Sequence, residues 1–271
     1  MKTAIFCQIK DERDYLDDFL SYHVNLGIEK IFLFEDINSE PHDDICAKYG
    51  DRVELIPVTR LFTLEKIAKL KRFNMFQSQT IKEGFVYIKN NYCCDWCFSI
   101  DADEFITVEK PLDDVLCLYN YYDAIMIEWL NYGYSGYIHK PIHNKPIYEI
   151  FTEKCGNTAF DVRNHVTAKF VFNMNRFEKR FIGGSHYALC NYVKPDFSQN
   201  RDDLVYDNIY LRHYITKSFD EYMWKMHKRG NLQIKHRSLN DFYEINPQAK
   251  AEVEKIYGTT DEALLVEKIL K

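Results

Sequence analysis

The chain has 271 residues, 46% of them hydrophobic and 28% charged, with a formal net charge of −6 and a pI near 5.9. That length suits one large α/β domain or two small ones with a substantial core. The acidic balance, with no basic tract, argues against a nucleic-acid partner, and no apolar run approaches the roughly 18 residues needed to cross a bilayer. The eight cysteines include Cys94-x-x-Cys97, but a zinc site would want a second pair at similar spacing. A redox pair would open a helix, whereas this one enters a strand. Reduced structural thiols in a cytoplasmic protein are therefore expected.

The first sixty residues read as β-α-β-β. Thr3 to Ile9 is a short apolar strand rather than a secretory signal. Helical spacing follows in Leu16, Phe19, Leu20, His23 and Val24, closed by Gly27 as a C-terminal cap. Lys30 to Phe34 is a second strand, ending in Glu35-Asp36, and Val53 to Val58 a third. Residues 62–91 carry helical periodicity with a break near Asn74, and lead to a strand that ends at Asp101. Pro111 opens a short helix, and Asp123 to Leu130 returns as a strand.

The segment 98–105, FSIDADEF, carries the most information. In an extended chain, Asp101 and Asp103 point the same way and Ala102 points back. Two carboxylates on one side of a strand end repel each other unless a cation lies between them, and a hard divalent ion with phosphate oxygens completing its shell meets that need. A bare DxD also fits a pair of solvated turn carboxylates. The wider pattern favours the ion. Alternating strands and helices imply a largely parallel sheet covered on both faces, and ligands bind beyond the carboxyl ends of such strands. Asp11 and Glu12 follow strand one, Asp36 strand two, and Asp101 and Asp103 strand four. Acidic groups at one edge from three strands point to a nucleotide or nucleotide-sugar site.

The second half is less regular. Residues 131–165 are rich in Tyr, Gly, His and Asn and read as acceptor-side loops. Short strands are expected at Ala168 to Phe172 and Asn208 to Tyr214. Ser218 with Glu221 forms a capping box for a helix running to about Lys228 and stopping at Gly230. From Pro247 the tail contains one or two amphipathic helices. The division expected is one domain over residues 1–240, with 1–130 binding the nucleotide and 131–240 supplying the acceptor side and a closing motif, followed by a helical appendage over 241–271.

Several of these segments together form a recognisable series. Lys10-Asp11-Glu12-x-x-Tyr15-Leu16, Tyr22-His23-x-x-Leu26-Gly27 and Phe34-Glu35-Asp36-x-Asn38-Ser39 resemble the opening of family 2-like and family 92-type glycosyltransferases of the GT-A fold. Ile100-Asp101-Ala102-Asp103-Glu104-Phe105 resembles their metal-binding signature. Trp129-x-x-Tyr132-Gly133 with Gly136 matches their next landmark, with Tyr132 where Phe is more usual. His213-Tyr214-x-x-Lys217-Ser218, then Lys225 and Arg229-Gly230, resembles their closing signature. The motifs run in order from about residue 3 to 230.

The resemblance implies an α/β GT-A fold, a Rossmann-like nucleotide-diphospho-sugar transferase with a mixed, mostly parallel sheet and helices on both faces. It implies transfer of a sugar from a UDP-sugar donor to a hydroxyl of a glycan or lipid-linked glycan, with inversion, in surface polysaccharide or lipopolysaccharide synthesis. Asp101, Asp103 and His213 would form the metal site, with Asp101 meeting the ribose or a metal-bound water. An imidazole ligand suits Mn²⁺ better than Mg²⁺. Lys10, Glu12, Asp36, Lys217 and Arg229 would contact the nucleotide, Lys225 sharing a helix face with Arg229. His186 would face the donor sugar or acceptor, or lie in the core. An inverting reaction needs a base, for which Glu128 is the choice, with Glu104 and Asp207 also open; a retaining reaction needs none. Peripheral contact with the inner face of a membrane is compatible with a lipid-linked acceptor. A nucleotidyltransferase would show a Gly-rich phosphate loop where this chain has KDERDY, and a non-enzymatic glycan-binding module would not require the divalent ion.

Overall fold

The first strand, β1 (Thr3–Ile9), is buried along nearly its whole length, and its side chains alternate between two covered faces. The computed structural model describes residues 1–72, 75–142, 145–156, 167–194, 208–227 and 238–270. After β1 come α1 (Arg13–Leu26), β2 (Lys30–Glu35), α2 (Asp43–Ala47), β3 (Val53–Pro57), α3 (Leu64–Arg72), α4 (Phe76–Asn91) and β4 (Trp96–Ser99). They are followed by β5 (Glu104–Val108), α5 (Leu112–Cys117), β6 (Ala124–Tyr132), α6 (Ile147–Ile150), β7 (Lys154–Cys155), β8 (Ala168–Asn173), β9 (Tyr192–Val193) and β10 (Ile209–His213). The described chain ends with α7 (Phe219–His227), α8 (Leu239–Ile245), α9 (Ala249–Tyr257) and α10 (Glu262–Ile269).

The sheet order is β3-β2-β1-β4-β8-β6-β10-β5, with β7 and β9 also pairing with β6. β3, β2, β1 and β4 run parallel, in a register that aligns Ile9 with Glu35 and Phe6 with Ser99. β8 then pairs antiparallel with both β4 and β6. The sheet is thus mixed, and the fold is α/β as the alternating sequence pattern implies.

Two compact units divide the chain, one of residues 1–129 with 168–211, the other of 130–167 with 212–271. In the first, Phe6 stacks on Phe34 at 4.9 Å and packs against Phe85 of α4 at 5.5 Å, so α4 covers one sheet face. Gly84 is required there, because a Cβ would come within 2.3 Å of the Phe6 ring. Opposite, α1 buries Leu16, Phe19, Leu20 and His23, with Phe19 and His23 against Phe105 of β5. Gly27 ends α1 at φ 103°, and its N–H and that of Ile28 donate to Val24 and His23 carbonyls, as a left-handed helix cap requires.

The second unit has its own apolar core, built around Tyr134, Phe219, Tyr222, Phe242, Val253 and Leu265. The tail beyond residue 241 is part of that core. Ser218 and Glu221 make the expected reciprocal cap at the start of α7, and Ser238 with Asp241 makes a second one at α8. Gly133 lies against Asn246, whose Oδ1 accepts the Tyr134 N–H and would be 2.4 Å from any Cβ at residue 133. The expected helix stop at Gly230 falls outside the described residues, as do Arg229 and Asp207. Among the described residues no helix is long and apolar enough to cross a membrane.

Candidate active site

Because β1, β2 and β4 are parallel, their carboxyl ends share one edge of the first unit, and the polar loops that leave β1 and β2 are bonded to each other. Asp11, at φ 52°, holds the left-handed backbone conformation, which is uncommon outside glycine and which Asn and Asp adopt more readily than other residues. It is fixed there by its N–H to Ser39 Oγ and by its Oδ1 accepting from the Glu40 N–H, both at 3.0 Å. The Glu12 N–H donates to His42 Nε2 at 3.3 Å, and His42 Nδ1 donates to Glu35 Oε1 at 2.7 Å. The loops after β1 and β2 therefore form one rigid rim. Glu12 is buried. Asp36, the expected nucleoside contact, accepts two bonds from Lys71 Nζ at 2.7 and 2.8 Å.

Beyond β4 the chain turns through Asp101–Glu104 into β5. The Asp101 N–H donates to Glu104 Oε2 at 2.9 Å, and the Glu104 N–H donates to the Asp101 carbonyl at 3.0 Å. That reciprocal pair closes the turn on itself and fixes where Asp101 and Asp103 emerge. Asp103 is 5% exposed and Glu104 fully buried.

Lys169, which sequence reasoning missed, completes this cluster. The antiparallel register sets Ser99 opposite Phe170, so the preceding residue of β8 runs alongside the chain as it leaves β4. Lys169 Nζ donates to Asp101 Oδ2 at 2.6 Å and lies 3.8 Å from Glu104 Oε1. It also sits 6.0 Å from the centre of the Trp129 ring. The lysine is almost wholly buried. Burial alone would lower its pKa, but the charges of Asp101 and Glu104 outweigh burial and raise it, so it stays cationic. For Asp101 burial acts upward and the adjacent ammonium overcomes it, leaving a lowered pKa. Burial pushes Glu104 well above the usual carboxylate range despite Lys169. The turn thus holds the Asp101–Lys169 ion pair beside the buried Glu104 carboxyl, whose Oε1 accepts no hydrogen bond among the described residues. A lone lysine inside the apolar run AKFVF was the signal available in the sequence.

Other expected site residues are placed as follows. Glu128 makes an ion pair with Lys194. His186 donates from Nδ1 to the Ala168 carbonyl at 3.0 Å and meets the Trp129 ring edge-on at 5.4 Å. Lys217 has φ 56° just before α7, and Lys10 follows β1. In the second unit His213 is buried at the end of β10, its Nδ1 donating to Asn131 Oδ1 at 2.9 Å. That bond fixes the orientation of the ring, as a hydrogen bond on one nitrogen does for histidine ligands in metalloproteins. Among the described residues no group of three or more His, Cys, Asp or Glu side chains is arranged to hold a metal ion.

No protein-family model matches this chain, and no curated protein matches it. Similar solved structures include HddC from Yersinia pseudotuberculosis (10% identity, TM-score 0.37, covering 72% of this chain and 89% of that one). The bifunctional IspDF from Campylobacter jejuni matches at 10% identity and TM-score 0.35, over 74% of this chain and 51% of its own. Glucosyl-3-phosphoglycerate synthase from Mycobacterium tuberculosis, in complex with Mn²⁺, UDP and glucosyl-3-phosphoglycerate, matches at 8% identity and TM-score 0.33, over 64% of this chain and 57% of its own.

Proposed function

We propose that this chain is a GT-A glycosyltransferase of the family 2-like or family 92 type, moving a sugar from a UDP-linked donor to a hydroxyl of a glycan or lipid-linked glycan. The observation that carries the reading is the acidic turn Asp101–Glu104 beyond β4, closed on itself by its own hydrogen bonds, on the edge where parallel strands of α/β sheets present nucleotide sites. The rim formed by Asp11, Glu12 and Asp36 on the same edge offers acceptors for a nucleoside, and Lys10 stands beside them.

Asp103 supplies a buried carboxylate, the kind of oxygen donor a divalent cation takes, and would hold such an ion. Such an ion, when bound, neutralises charge on the departing diphosphate. Lys217 and Arg229 are assigned to the phosphates. In the reaction the acceptor oxygen bonds to the anomeric carbon while the bond from that carbon to the diphosphate oxygen breaks. Its electron pair leaves on UDP, and the acceptor proton passes to Glu128, with inversion.

Calorimetry of UDP with and without Mn²⁺ tests the reading. Metal-enhanced binding that is lost in Asp103→Ala and kept in Tyr132→Phe supports it, and absence of UDP binding refutes it. A donor screen for UDP release then identifies the sugar. Release of pyrophosphate instead would identify a nucleotidyltransferase. Binding of glycan with no response to metal or UDP would identify a non-enzymatic module.

A further inference from the structure

The geometry points to Tyr187, on the loop that follows β8, as a stacking platform for a pyranose ring of the glycan. The glycan is that of the reading above; the inference adds the side chain that holds it.

The loop is closed by its own main chain. The Gly183 and Gly184 N–H groups both donate to the Tyr187 carbonyl, at 3.2 and 3.1 Å, and the Leu189 N–H donates to the Phe181 carbonyl at 2.7 Å. Ala188, bridged to Ile182, packs against the core of the first unit, while its neighbours Tyr187 and Leu189 face outward, 56% and 63% exposed. The Tyr187 ring is nevertheless held in place. A Cβ at Gly184 would come within 2.5 Å of one edge of the ring, and one at Gly183 would come closer still to the other edge. Glycine at both positions therefore lets the ring lie across the main chain. Leu189 flanks it, 3.1 Å from where a Gly183 Cβ would stand. An aromatic ring that is fixed on one side and open on the other has little rotamer freedom to lose when a ligand covers it.

The surface fits a sugar. A pyranose presents a face of C–H groups about as broad as one aromatic ring, with hydroxyls around its rim. A protein partner would need about 20–30 residues a side, far more than two apolar side chains offer. The position agrees with the proposed reaction. His186, the next residue along the loop, donates to the Ala168 carbonyl at 3.0 Å, and Lys169 beside it in β8 reaches Asp101 at 2.6 Å. The loop is thus bonded to the strand that carries the lysine of the acidic turn.

The test is saturation-transfer NMR on the whole chain with methyl β-D-glucopyranoside and methyl β-D-galactopyranoside, against sorbitol, which has the hydroxyls but no ring. At least one glycoside receives saturation on its ring C–H protons and sorbitol does not. Tyr187→Ala, at an exposed position, lowers the glycoside affinity by on the order of tenfold, the scale of stacking on one aromatic side chain. Tyr187→Phe keeps the affinity. Gly184→Ala, which retains the tyrosine but displaces its ring, weakens binding as Tyr187→Ala does. Unchanged affinity in Tyr187→Ala or Gly184→Ala, equal signals from sorbitol, or no transfer to either glycoside overturns the assignment. A UDP titration with Mn²⁺ on the same samples separates the two readings. The expected glycoside pattern without UDP binding refutes the donor reading and leaves the platform standing. UDP binding without glycoside binding overturns the platform alone.

Discussion

His23 provides a sharp test of the described packing. Its ring is fully buried, with Nδ1 donating to the Phe19 carbonyl at 2.8 Å and Nε2 accepting the Ile106 N–H at 3.2 Å. Both nitrogens of a neutral imidazole are thus satisfied, and the ring joins α1 to β5. Burial lowers its pKa from 6.5 to about 3, against a smaller upward effect of the Phe19 bond. In the unfolded chain His23 titrates near its ordinary value. Below that value the unfolded state binds a proton that the folded state refuses, so stability is full above about pH 6.5 and is lost as pH falls towards 3. Each pH unit inside the window costs about 1.4 kcal/mol, which integrates to about 2 kcal/mol between pH 7 and pH 5. Urea denaturation at these two pH values measures it, with His23→Gln as the reference in which this titration is absent. The other ionisable groups are common to both proteins and cancel. At pH 7 the variant itself is destabilised by about 1–3 kcal/mol through imperfect pairing of the Ile106 N–H. Equal losses from pH 7 to pH 5 in parent and variant, within about 0.5 kcal/mol, would refute the reasoning.

Gly84→Ala should destabilise the first unit by about 1–3 kcal/mol, because the new methyl meets Phe6 at 2.3 Å while Phe34 and Phe85 hold that ring in place; an unchanged denaturation midpoint would contradict this packing. In a native thiol titration at pH 8, Cys93 and Cys117 react quickly, being exposed. Cys7, Cys46, Cys94 and Cys97 are buried and react only on unfolding, burial having pushed the thiols of Cys46 and Cys94 up to about 12. Rapid modification of all eight in the folded protein would count against the core described.

What the sequence disclosed and what it withheld follow one physical division. Features with a local cause were legible. The strand Thr3–Ile9, the cap at Gly27 and the Ser218–Glu221 box each depend on residues within a few positions, and each has its expected form. The Ser238 box escaped notice because Asp241 stands where the usual pattern has Glu or Gln. β5 escaped because its apolar run follows the acidic turn without a break. Lys169 and Asn131 belong to another class. Lys169 reaches Asp101 across 68 positions and Asn131 reaches His213 across 82, and strand pairing rather than spacing determines both meetings. A shift of β8 by one residue would carry Lys169 to the opposite face of the sheet. The DxD motif therefore announces two carboxylates, but an antiparallel strand entering from the second half of the chain brings a buried lysine against Asp101.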